Sequence, residues 1–250
     1  AQDRDNAIEA RMDAEDDLRY DPRQSRASEL RGTPATVPNR LQNEGYPFGS
    51  PEEKGLRDAI IEGFPATKRD NLTGIMDQII ALESDGDENA QNPASNASGL
   101  LQIVPGTIRQ LMGEDADVND NDTYVAAANK LFTKNFSLLE RNGYPVNALN
   151  MYVLHHFGAG GKKLLDADSD TLVKNVTYKN VVTEKDTPLI DQGKVDANDW
   201  INSAAEINQK TWEDLTVGEF LEYLEQAVNS GDFPQPDPQV VAAANNAKVL

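Results

Sequence analysis

From Val146 to Phe157 the chain reads VNALNMYVLHHF, apolar nearly all the way round a helical wheel. A helix without a polar face has to be enclosed on every side. The rest of the chain must therefore supply elements that wrap around it. The segment just before, NDNDTYVAAANKLFTKNFSLLERNG, supplies one. There Tyr124, Ala128, Leu131, Phe132, Phe136 and Leu139 fall on one stripe of core-packing residues. Asp122 is placed to cap its start and Gly143 to end it.

Other segments carry the same helical period. From about Asp70 to Glu83, residues Ile75, Met76, Ile79, Ile80 and Leu82 make a wide apolar face. An earlier helix has Ser50 as cap, Pro51 at its first position and Glu53 completing a capping box. It turns Leu56, Ile60 and Ile61 inward and stops at Gly63. Pro105–Met112 reads as a short helix with Gly113 as its left-handed stop. In LTVGEFLEYLEQAV, Thr216 and Glu219 form a capping box, and Leu215 and Phe220 sit at hydrophobic-staple positions. Gly158, Gly160 and Gly161 force a turn after the central helix. TLVKNVTYKNVV reads equally as a hairpin strand or an irregular loop. The expected fold class is mainly α, with five or six helices around one core and little β structure.

Composition bounds what surrounds that core. Apolar residues are 38% of 250, low for a wholly globular chain. Polar flanks are expected: an arm over residues 1–49 with one short helix near Ala7–Tyr20, then a domain over 50–229. A Pro/Ala-rich linker or tail over 230–250 follows. The net charge of −19 has the wrong sign for gripping nucleic acid through its phosphates. The absence of cysteine excludes disulfides, thiolate zinc sites and thiol nucleophiles. No apolar run reaches transmembrane length, and AQDRDNAIEA has no signal-peptide core.

Neither a metal nor a cofactor is expected. DGDENAQNPASN from Asp85 spaces its first acids like a calcium loop. Ala90 and Asn96, however, stand where such a loop needs Gly and a bidentate Glu. DVNDNDTYVAAA from Asp117 fails at the same two positions. His155 and His156 are adjacent, so they point about 100° apart on a helix and are not a ligand pair.

The candidate site lies in ALESDGDENAQNPASNASGLLQI, residues 81–103. An apolar helix ends there on Glu83, with Asp85, Asp87 and Glu88 close behind. The carboxyl-terminal end of a helix carries partial negative charge. That field, the apolar neighbours Ile79 and Leu82, and the nearby acids all disfavour an ionised Glu83. A carboxylic acid that keeps its proton suits donation to a leaving oxygen, as glycosidic cleavage requires.

The wider motif resembles the goose-type lysozyme and soluble lytic transglycosylase (SLT) family, in its phage virion-associated form. Glu83-Ser84, Gly86-Asp87, Ala90, Asn92-Pro93, Ser95 to Ser98, Gly99-Leu100, Gln102-Ile103 and Pro105-x-Thr107 follow in the family's order. MYVLHHFGAGGKKLL resembles the family's distal Y-x-x-H-F-x-G-x-G-G block, with Tyr152 and His155 on its Tyr and His. AAEINQKTWEDLTVGEFLEYL resembles the block that closes such domains in phage virion proteins. Met151-Tyr152-Val153-Leu154 departs from the A-Y-N-x-G of cellular enzymes, and His156-Phe157 from the usual phage pair.

The resemblance implies a lysozyme-like helical domain that cleaves the MurNAc–GlcNAc bond of peptidoglycan and leaves a 1,6-anhydro product. Glu83 would be the sole catalytic acid and base. Ser84, Ser98, Gly99, Leu100, Gln102, Tyr152 and His155 would contact the glycan, the Gly99-Leu100 backbone approaching a sugar closely. His155 also reads as a hydrogen-bonded core residue. Peptidoglycan strands are the implied partner, and other virion or ejection proteins stay open as further ones. The implied setting is a virion that opens the host cell wall, with action in the periplasm. Two rival readings stand: a hydrolysing muramidase on the same fold, and a non-catalytic glycan-binding or structural module. For the hydrolase, Asp85, Asp87, Asp115 and Asp117 are candidate second carboxylates.

Overall fold

The computed structural model describes residues 55–93, 95–179, 185–190 and 199–236. The polar arm, the capping box of Ser50 and Glu53, and the chain from 237 onward lie outside the described residues.

Among the described residues the protein is mainly helical. The order is α1 (Leu56–Glu62), α2 (Arg69–Ser84), α3 (Pro105–Met112), α4 (Asn121–Asn142) and α5 (Ala148–Phe157). A 3-10 turn at Gly158–Gly160 leads into α6 (Gly161–Asp166). A hairpin of β1 (Thr177–Lys179) and β2 (Asp186–Pro188) follows, then α7 (Asp199–Ile207) and α8 (Val217–Ser230). The hairpin is antiparallel, with Tyr178 opposite Thr187.

The all-apolar segment is the central helix. α5 packs against α2, α4, α6 and α8. Met151, Tyr152, Val153 and Leu154 are each no more than 2% exposed. Burying a large apolar side chain contributes roughly 1.5–3 kcal/mol, so this stretch anchors the whole assembly. Gly161 allows α6 to press against it, because a Cβ there would lie 2.6 Å from the Val153 carbonyl oxygen.

Polar contacts fix how the outer helices meet. Arg57 on α1 donates to both carboxylate oxygens of Asp77 on α2, each at 2.7 Å. Asn129 on α4 donates to the Ile60 carbonyl at the end of α1. Lys130 donates to the Leu111 carbonyl in the last turn of α3, where a cation suits the helix dipole.

Several boundaries differ from the sequence reading. Asp120, not Asp122, caps α4, its Oδ2 accepting from both the backbone N–H and the hydroxyl of Thr123 at 2.8 Å. Asp122 lies inside the first turn of α4, too late to cap it, whereas Asp120 has Thr123 three residues on. Gly113 ends α3 at φ 113, ψ 153, an extended glycine conformation and not the left-handed stop. The glycines after α5 carry a 3-10 turn straight into another helix. The Thr216–Glu219 capping box forms, with Leu215 and Phe220 both fully buried.

The linker expected from Ser230 begins as part of the core. Phe233 is buried. Its ring stacks on Trp200 at 5.1 Å, and Phe220 stacks on Trp200 at 5.8 Å. Tyr223 donates its hydroxyl to the Pro234 carbonyl. An apolar side chain just past a helix end can dock back on that helix, and a Pro-rich composition hides this.

Candidate active site

Glu83 stands in the last turn of α2, and its side chain is 17% exposed. The helix closes immediately behind it. Asp85 takes the left-handed conformation, φ 52, and its N–H returns to the Ala81 carbonyl. The acids behind Glu83 have separate work. Asp87 accepts from the Asn89 N–H at 2.8 Å to shape the turn. Glu88 accepts from the Leu56 N–H at 3.0 Å and so caps α1, whose own N-cap residue Gly55 has no side chain to do it. Asp85, Asp87, Asp115 and Asp117 are all exposed, and Asp117 accepts from the Asn119 N–H.

The loop from Ala90 to Ile103 folds back against the end of α2. Ser98 and Ile103 exchange backbone hydrogen bonds, and Gly99 donates to the Ala90 carbonyl at 2.8 Å. Gln102, at φ 45, donates its side-chain amide to the carbonyls of Ala90 and Gly99. The Ser84 hydroxyl lies 2.9 Å from the Leu100 carbonyl and 3.2 Å from that of Ile80. The donor groups of Ser84 and Gln102 are therefore engaged in holding this loop. Leu100 is fully buried and Tyr152 is 2% exposed. Tyr152 stacks on His156 at 5.7 Å.

Gly99 has an internal reason to be glycine. Its φ is +73, and a Cβ there would lie 2.7 Å from the ring of Tyr124. The close approach is made by a tyrosine from α4, which supplies a cause that needs no sugar.

Tyr124 and His155 hold the two ends of one residue. The Leu101 N–H donates to the Tyr124 hydroxyl at 2.9 Å. The Leu101 carbonyl accepts from His155 Nε2 at 2.9 Å. That same Nε2 lies 3.7 Å from Glu83 Oε1. Burial pushes the His155 imidazole down to about 4, against the opposing pull of its bond to Leu101. Burial pushes the Tyr124 phenol well above its ordinary value, and the charge of Glu83 adds to the shift. At neutral pH Glu83 therefore faces a neutral imidazole and a neutral phenol.

The α2 terminus thus gathers Glu83, Ser84, the Ser98–Gln102 turn and His155. Tyr152 sits on α5 a turn before His155, with its ring in the core.

This loop and helix end lie within one recognisable segment. Residues 64–152 match the model of the transglycosylase SLT domain. At the level of that family, the match indicates peptidoglycan as substrate and cleavage of the lytic-transglycosylase type. The mainly helical architecture is consistent with an SLT, lysozyme-like domain. No curated protein and no solved structure was found to match the chain. Among the described residues, no group of three or more His, Asp or Glu could hold a metal ion. Among the same residues, no helix is long and apolar enough to cross a membrane.

Sequence reasoning assigned Tyr124 to the core alone and read Glu88 only as one of the acids crowding Glu83. Tyr124 carried a usable signal: a buried Tyr in a stripe of Phe needs a partner for its hydroxyl. The capping role of Glu88 carried none, because its partner lies on a helix 32 positions away.

Proposed function

We propose that the chain cleaves the MurNAc–GlcNAc bond of peptidoglycan as a lytic transglycosylase, with Glu83 as general acid and then base. Glu83 gives its proton to the leaving GlcNAc oxygen as the bond to muramyl C1 breaks. The resulting carboxylate takes the proton of the muramyl C6 hydroxyl as that oxygen closes on C1. The product is a 1,6-anhydro sugar, and no water is consumed.

The observation that carries this reading is the setting of Glu83. Its carboxyl is partly exposed at the negative end of a helix inside the SLT segment, and the nitrogen beside it belongs to a neutral histidine. A histidinium would favour the carboxylate, whereas a neutral ring leaves the proton-bearing form available. Ser84, Ser98, Gly99, Leu100, Gln102 and Tyr152 enter this reading mainly as the frame of the site.

We read the chain further as a virion component that opens the host cell wall for genome entry, acting in the periplasm. Its support is the likeness of residues 151–165 and 204–224 to blocks of phage virion proteins. Recovery of the chain from purified particles, by mass spectrometry, tests that setting.

The chemistry is tested by mass spectrometry of fragments released from purified peptidoglycan. Wild type should release anhydro-muropeptides and Glu83→Gln none. Reducing-end products, one water heavier, would replace this mechanism with hydrolysis. Equal release by Glu83→Gln would remove Glu83 from the chemistry.

A further inference from the structure

We infer that His155 is a positioning residue: one Nε2–H, set between the Leu101 carbonyl and the Glu83 carboxyl, fixes Glu83 against the loop that follows it. This rests on the reading of Glu83 as the acid.

The geometry determines the state of the ring. A carbonyl oxygen can only accept, so the 2.9 Å contact to Leu101 requires the proton on Nε2. Nδ1 is then a bare acceptor. Among the described residues it is buried without a hydrogen-bond partner. Protonating it would bury both a charge and an unpaired donor, which burial makes costly. The side chain is only 7% exposed, so water offers little relief. The ring therefore stays a neutral donor with a fixed tautomer.

Among the described residues its contacts join three elements. From α2 it meets Glu83, at 3.7 Å. From α4 it meets the Phe132 ring, with centroids 6.1 Å apart, while Tyr124 grips the other end of Leu101. His156, next on α5, turns away onto Tyr152 and Trp200. His155 is thus a hinge pin between α5, the loop and the end of α2. At 3.7 Å the N–H lies just beyond hydrogen-bond length from Glu83. It can shorten to that oxygen when the carboxyl ionises after giving up its proton, which stabilises the charged form.

Three proteins test this: His155→Gln, which keeps an N–H at the Nε2 position, His155→Leu, which keeps bulk only, and Glu83→Gln. Activity on purified peptidoglycan is followed against pH. With Leu, kcat should fall roughly tenfold with little change in KM. The alkaline limb should move to higher pH, since the charged form of the acid loses a donor. With Gln, both should stay near wild type. Equal losses in Gln and Leu at every pH, with an unmoved limb, would reduce His155 to packing and overturn the inference. Nitrogen NMR of the wild-type imidazole decides the point even where Leu fails to fold. A proton on Nε2 throughout pH 5–8 supports the inference, and titration near 6.5 or a proton on Nδ1 overturns it. An active Glu83→Gln would sink the acid itself, whereas an inactive one with an unmoved limb in His155→Leu would sink only the positioning role.

Discussion

The ring of Tyr124 occupies the space that a side chain on residue 99 would need, with its Cζ 2.7 Å from an ideal Cβ position. Gly99 also sits at φ +73, where an added Cβ costs about 1–2 kcal/mol. Gly99→Ala should therefore lose roughly 2–4 kcal/mol of stability, since strain and overpacking both act. Urea denaturation measures it. A loss under about 0.5 kcal/mol would mean that Tyr124 is not held against this turn.

Tyr124→Phe keeps the ring and removes the oxygen. The buried Leu101 N–H then lacks its acceptor, at a cost of about 1–3 kcal/mol. The amide of Leu101 should also exchange with deuterium much faster in this variant. Unchanged protection would show that another acceptor holds it.

Ser84→Ala separates a structural hydroxyl from a sugar-binding one. The hydroxyl reaches the Leu100 carbonyl, so its loss should cost about 1 kcal/mol. Activity per folded molecule should fall only as far as the loop loosens. A large drop in kcat with the melting temperature unchanged would assign the hydroxyl to the substrate instead.

His155 also makes stability depend on pH. Its folded value, about 4, lies below the ordinary value near 6.5. Between those values the unfolded chain binds a proton that the folded chain refuses, so stability falls as pH drops through the window. The full loss is about 3 kcal/mol by pH 4, and it should be absent in His155→Gln. Urea midpoints at pH 7 and pH 4.5 for the two proteins check the sign.

Phe233→Ala tests where the folded unit ends. Removing a buried Phe typically costs 3–5 kcal/mol. This ring stacks on Trp200, so Trp fluorescence should shift as well. Wild-type stability would place Phe233 on a true linker.

Much of the fold was legible because its signals are local. The apolar band of Ile75, Met76, Ile79 and Ile80, the Thr216–Glu219 box and the stop at Gly143 each need only a few neighbouring residues to read. Glu83 was legible in the same way, as a carboxyl closing an apolar helix. What was not legible depends on partners far along the chain. The Tyr124 hydroxyl serves a residue 23 positions away, and Glu88 caps a helix 32 positions away. Phe233 was hidden by composition, since Pro and Gln around it look like spacer.

The segment match stops at residue 152, part-way along α5 and short of His155. Glu83 thus lies inside the matched stretch, while the imidazole 3.7 Å from it lies just past its end. On the reading proposed above, a fragment cut at the end of the match would keep the acid and lose the residue that positions it.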